Sequence, residues 1–302
     1  MVHGISRISC QSIDCGVPAT VRIACFQGKN GVDEYHLMIS PTTYGSTETQ
    51  LSWVRLAYQR ALASLSLDAE TGVLRRFFCS DLPNQATILE AAPFANPHTE
   101  EERCAVSWVC QPPAPPAKVA LWAYHIAQPE GSLEKQKNGT TLTLKRDELS
   151  HIWTTGLIDT ADESSYDQTK SIFKQYVADL QMRGLTLADN VVRTWLFVQN
   201  VDANYHGVVV ARREFFTEQG LTSETHYIAS TGIAGTSADV TAKVLMDAYA
   251  IAGVRPEQIQ YLEALDNLCP THVYGVTFER GVAVAYRDRK HIMISGTASI
   301  DS

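Results

Sequence analysis

The sequence of 302 residues lacks any apolar run near the roughly 18 residues that span a bilayer, so no membrane-crossing helix is expected. Its first ten residues, MVHGISRISC, lack the long apolar stretch of a secretory signal. A cytoplasmic protein is the expectation. Basic residues are in deficit: 25 Lys and Arg against 33 Asp and Glu give a formal charge of −8. A phosphate backbone calls for a basic face, so nucleic acid is not an expected partner. Seven Cys are present, an odd number, and none are spaced as CxxC. Reduced thiols fit this better than a disulfide framework. There is no GxSxG elbow, no HExxH pair and no P-loop lysine. The nine His are scattered without metal-ligand spacing, so neither a metal nor an organic cofactor is expected. Asn138-Gly-Thr matches a glycosylation acceptor, but without export the match carries no weight.

What is present is repetition. The chain reads HLMIS at 36–40, HIWTTG at 151–156 and HIMISG at 291–296. Arg146-Asp147 and Arg287-Asp288 stand just before the last two. A second match is independent. AKVALWAYHIA (117–127) and AKVLMDAYAIA (242–252) are identical at seven of eleven positions. The segments between these anchors agree in kind. Thr47-Glu-Thr-Gln50 and Ser165-Tyr-Asp-Gln168 read as capping boxes. After the first come Leu51, Val54, Tyr58, Leu62 and Leu65, and after the second Ile172, Phe173, Tyr176, Val177 and Leu180. Both sets have the spacing of an amphipathic helix with one buried stripe. VLRRFF (73–78) and VVRTWLF (191–197) follow as β-branched and aromatic strands. A second helix is expected at 84–92 and again at about 203–219.

The order β-β-α-β-α-β-β therefore occurs twice, and the fold class is α+β built from tandem units. The expected divisions are a first unit over 1–127, a linker over 128–140 and a second unit over 141–252. A connection follows over 253–272, with room for a short helix in GVRPEQIQ, and then the first hairpin of a third unit over 273–302. That third unit is incomplete. A truncated chain explains this better than a lone hairpin does, because an isolated hairpin is marginal in water.

Three stretches carry a family resemblance: FERGVAVAYRDRKHIMISG (278–296), VVRTWLFVQNVDAN with ARREFFTEQG (191–204 and 211–220), and RCAVSWVCQP (103–112). Together they resemble the Rid superfamily, also called YjgF or endoribonuclease L-PSP. The likeness covers the first two units and the last hairpin, and the first unit is the most degenerate. Family members are homotrimers with ligand clefts between subunits, so the resemblance implies a pseudo-trimer within one chain, with self-association open to it. ASTGIAG (229–235) and SGTASI (295–300) also resemble words of the chorismatases, which hydrolyse chorismate and release pyruvate. The ribonuclease label of the family gains no support from an acidic chain.

The resemblance implies a hydrolase acting on a carboxylate-bearing substrate, such as a 2-imino acid. An Arg fork would bind the carboxylate, and an acid on the last strand would position water. Arg103 occupies the Arg position in the first unit, opposite Trp122 at the acid position. Asp247 occupies the acid position in the second, where Thr225-His226-Tyr227 stands for the Arg. No unit holds the full pair. The structural alternatives are an ion pair of Arg103 with Glu101 or Glu102, and an inter-unit contact capped by Asp247. Ser230, Thr231 and Gly232 begin a small-residue loop where a ligand could approach backbone N–H groups, or where the chain simply turns. Phe278, Arg280, Ser295 and Thr297 could line a cleft, and Arg280 could equally be a surface strand residue. His36, His151 and His291 recur at one strand position and serve structure rather than a metal on this reading. QPPAPP (111–116) reads as a stiff loop. Three readings remain: imine-acid deamination, chorismatase-like hydrolysis, and a silent scaffold that binds a metabolite or partner.

Overall fold

The structure is a computed structural model that describes residues 7–29, 31–99, 103–128, 133–263, 268, 271 and 275–296. Thr297 lies outside the described residues. The chain divides into two compact units, 1–146 and 147–302, and among the described residues the strands form two six-stranded sheets and one three-stranded sheet. The expected α+β class is what is found.

The first unit runs β1 (Arg7–Ile13), β2 (Ala19–Gln27), β3 (Asp33–Pro41), α1 (Thr47–Ser64), β4 (Gly72–Cys79), α2 (Leu82–Glu90), β5 (Ala105–Cys110), β6 (Val119–Ala127), β7 (Glu134–Asn138) and β8 (Thr141–Arg146). Its six-stranded sheet has the order β1-β2-β3-β6-β4-β5. The β4–β5 pair is parallel and the other pairs are antiparallel. Leu51, Val54, Tyr58 and Leu62 form the buried stripe of α1, as their spacing predicts. β7 and β8 form a hairpin, so the stretch expected as a linker over 128–140 holds a strand. Its polar composition hides a buried position: Lys135 is covered, and its Nζ is satisfied by donating to Gly72 O at 2.8 Å.

The second unit runs β9 (Leu149–Leu157), α3 (Ser165–Met182), a single turn α4 (Leu187–Asn190), β10 (Val191–Val198), α5 (Val201–Glu218), β11 (Ala229–Ala234), β12 (Val244–Ala252), β13 (Ile259–Leu262), β14 (Gly281–Ala285) and β15 (Lys290–Ile294). Strands β11-β10-β12-β9 neighbour one another in that order, which is the order β5-β4-β6-β3 of the first unit. Here too the β10–β11 pair is parallel. α3 and α5 cover one face, with Phe173, Tyr176, Leu180 and Phe216 packed on Leu196 and Met246. β13-β14-β15 form a separate antiparallel sheet, and GVRPEQIQ contains a 3-10 turn at Pro256–Gln258.

Two expectations are corrected. The capping boxes lie one residue off. The N-caps are Ser46 and Ser164, whose hydroxyls accept from Thr49 N at 3.2 Å and Asp167 N at 3.0 Å. Gln50 and Gln168 instead fasten their helices to the segment leading into the strand that closes each unit. Gln50 Nε2 donates to Thr43 O at 2.9 Å and Pro116 O at 3.0 Å, and Gln50 Oε1 accepts from Lys118 N at 2.7 Å. Gln168 Nε2 donates to Asp162 O at 2.7 Å and Thr241 O at 3.1 Å, and Gln168 Oε1 accepts from Lys243 N at 2.7 Å.

The histidines are the second correction. His36 and His151 lie on β3 and β9, strands of matching place, but two residues out of step. His36 pairs with Tyr124, whereas its counterpart Tyr249 pairs with Trp153. His151 matches Glu34 instead, and each holds the equivalent tyrosine. Tyr124 Oη donates to Glu34 Oε2 at 3.1 Å, and Tyr249 Oη lies 2.6 Å from His151 Nδ1. Like words at a strand start do not fix register, because pairing is set by what the strand packs against. His291 is on β15, paired with Val284.

Candidate functional site

Ser295, just past β15, ties the last hairpin to β11. Its Oγ accepts from Ser230 N at 2.9 Å and from Arg193 Nη1 at 3.4 Å, and donates to Glu279 O at 2.5 Å. Arg193 also donates through Nη2 to Thr231 Oγ1, which accepts in turn from Gly296 N at 2.8 Å. The Arg193 guanidinium lies over the Trp195 ring, 5.0 Å from its centroid. On the opposite face of β11, Ser230 Oγ accepts from Thr194 Oγ1 at 2.8 Å and from Arg212 Nη1 at 3.2 Å. Strand alternation explains the division: neighbouring residues of β11 address opposite sides of the sheet.

Beside this junction lies a cleft of about 100 Å³, lined by residues that include His226, Tyr227, Tyr261, Phe278, Glu279 and Arg280. Arg280 is 7% exposed and its guanidinium carbon sits 5.8 Å from the Phe278 ring centroid. Glu279 Oε1 accepts from Tyr227 N at 2.7 Å. His226 stacks on Tyr261 with centroids 4.1 Å apart. Its Nδ1 lies 3.1 Å from Tyr227 O. A carbonyl can only accept, so the proton of a neutral imidazole is assigned to Nδ1 and the lone pair to Nε2. Burial, followed by Glu279, holds the Tyr261 phenol up at about 12 and raises that of Tyr227. Both tyrosines therefore stay protonated and can donate. Among the described residues, no three His, Cys, Asp or Glu side chains gather as a metal site would need.

The structure brings Ser230, Thr231 and Ser295 into one hydrogen-bonded junction and places Phe278 and Arg280 at the adjacent cleft. Arg280 is thus not a surface strand residue. Gly232 serves packing: a Cβ there would stand 2.8 Å from Tyr205 of α5. Asp247 is 1% exposed and its Oδ1 accepts from Gly156 N at 2.8 Å, at a bulge where Gly156 has φ of 70°. Arg103 is exposed, at φ of 35° just before β5, and belongs to the other compact unit. Sequence reasoning missed Arg193, Glu279, His226 and Tyr261. The available signals were an arginine within the apolar run of β10, and a histidine standing where the resemblance called for a cation.

No family model matches the sequence, and no curated protein matches it. Among solved structures, a chorismatase superposes with a TM-score of 0.51 at 16% identity, over 76% of this chain. The match spans 64% of the chorismatase chain. A YjgF-family protein from Neisseria meningitidis matches over 43% of this chain and 92% of its own, at 14% identity and a TM-score of 0.31. A member of the YjgF/YER057c/UK114 family from Mycobacterium tuberculosis matches over 36% and 84%, at 20% identity and a TM-score of 0.29. Among the described residues no helix is long and apolar enough to cross a membrane.

Proposed function

From a fold that is Rid-like and resembles that of a chorismatase, we propose that this protein is a small-molecule hydrolase whose substrate carries a carboxylate, held in the cleft of Arg280 and His226. The observation that carries the reading is the placement of one buried guanidinium and one imidazole, with its lone pair on Nε2, on the walls of a single cleft. The Arg280 fork takes the carboxylate, and Phe278 bounds the apolar part of the substrate. His226 Nε2 accepts a proton as water adds to the imine carbon of a 2-imino acid. The tetrahedral carbinolamine then collapses. From a protonated imine, the hydroxyl oxygen forms the carbonyl as the C–N bond breaks, nitrogen takes the proton held by His226, the hydroxyl proton passes to Nε2 in its place, and a 2-oxo acid and ammonia leave. Tyr227 and Tyr261 are hydrogen-bond donors at the same cleft. The size of the cleft favours a small acid: at about 100 Å³ it is well below the roughly 300–1,000 Å³ of sites for larger ligands.

The chorismatase superposition favours a second reading, hydrolysis of chorismate with release of pyruvate. One experiment separates the readings. The full chain is incubated with 2-imino acids generated in situ, and separately with chorismate, while ammonia and pyruvate are followed. Ammonia release that falls at least tenfold in Arg280→Ala and His226→Ala supports imine hydrolysis. Pyruvate release supports the second reading. Binding of a small 2-oxo acid without turnover leaves a metabolite-binding scaffold. Full activity in Arg280→Ala overturns the assignment of the cleft.

A further inference from the structure

Cys79 and Cys110 are register partners on the parallel strands β4 and β5. Neighbouring strands lie about 4.7–4.9 Å apart, inside the roughly 4.4–6.8 Å between Cα atoms that a disulfide spans. Their side chains share a face. Two residues earlier, Phe77 meets Phe94 edge-on at 5.4 Å and Trp108 Nε1 donates to Ala95 O at 2.5 Å. Strand alternation gives residues 79 and 110 the same orientation as 77 and 108.

The two sulfurs differ in their surroundings. Cys79 is fully buried, and burial, with Cys110 as the second cause, raises its thiol well above the ordinary range. Cys110 is half-buried and so open to a small reagent. Leu82 N, in the first turn of the nine-residue helix α2, lies 3.5 Å from Cys110 Sγ and donates to it.

We propose that Cys79 and Cys110 are a redox pair that closes to an intrachain disulfide when the protein meets a hydroperoxide. Cys110, as thiolate, attacks a peroxide oxygen. The O–O bond breaks, a sulfenic acid forms and, with hydrogen peroxide, water leaves. Cys79 gives up its proton as its sulfur attacks the sulfenic sulfur, and the S–O bond breaks to release a second water. Two thiols are oxidised by two electrons and one peroxide is reduced. The bond ties β5, the edge strand of its sheet, to β4. A dithiol reductant reverses it.

The test uses the full-length wild-type chain. It is reduced, treated with an equimolar amount of hydrogen peroxide, alkylated and mapped without reduction. The expected result is a chain lighter by two hydrogens, a peptide pair linked through Cys79 and Cys110, and loss of the link with dithiothreitol. Cys110→Ala should abolish the linked pair, and Cys10→Ser, which changes an exposed thiol, should retain it. Cys110 recovered as sulfinic acid with Cys79 free overturns the proposal. So does a link between any other pair, or an unmodified Cys110. The wild-type map decides the matter even where a variant fails to fold.

Discussion

Ser295 Oγ lies 2.9 Å from Ser230 N, so a hydroxyl at the end of the last hairpin satisfies a buried amide of β11. The same oxygen donates to Glu279 O at 2.5 Å. Ser295→Ala leaves the buried Ser230 amide and the part-buried Glu279 carbonyl without this partner, and an unsatisfied buried group costs about 1–3 kcal/mol. Denaturant unfolding should show a loss in that range. A value within experimental error of wild type would mean that water or a shifted side chain takes over the hydroxyl's place.

Gln50 and Gln168 should respond alike to substitution, because each makes three hydrogen bonds, one to the loop before its helix and two to the segment leading into β6 or β12. Gln50→Leu and Gln168→Leu each remove the acceptor for a lysine amide and the donor for two carbonyls. Each should cost about 2–3 kcal/mol in urea unfolding. A large loss from one and none from the other would contradict equivalent roles.

His125 provides a pH signature. It is buried between Tyr58 Oη, 2.9 Å from Nε2, and Thr71 Oγ1, 2.8 Å from Nδ1. Burial first, and then Arg75 and Lys135, pull its pKa down from 6.5 to about 3. The unfolded chain therefore binds the proton that the folded chain refuses between those values. The stabilisation is complete above about pH 6.5 and is lost as pH falls towards 3, with a slope of at most about 1.4 kcal/mol per pH unit. Comparing stability across about pH 4–7 for wild type and His125→Gln should show the slope reduced in the variant. Parallel curves would remove His125 as the source.

Two glycines separate backbone strain from steric clash. Gly184 has φ of 71°, and a Cβ placed there would meet nothing within 4 Å, so Gly184→Ala should cost only about 1 kcal/mol of left-handed strain. Gly253 has φ of 79°, and a Cβ there would stand 2.6 Å from Glu148 O. A backbone oxygen cannot step aside cheaply, so Gly253→Ala should cost clearly more, about 3 kcal/mol or above. Equal melting temperatures for the two variants would refute the distinction.

The sequence by itself determined the run of elements from the first long helix to the AKV strand of each unit, the buried stripes of α1 and α3, and the α+β class. These follow from periodicities of about 3.6 and 2 residues, which are local properties of a chain. It also singled out Ser230 and Thr231 as small residues of one stretch, and Phe278, Arg280 and Ser295 through the family resemblance of the last hairpin. Tertiary structure alone decided the rest. It set the two-residue offset between His36 and His151, gave Gln50 and Gln168 partners distant in sequence, just before β6 and β12, and brought Arg193, His226 and Tyr261 to the last hairpin. Register and convergence depend on which segments pack together, and that pairing energy is summed over contacts distant in sequence. No run of neighbouring residues contains it.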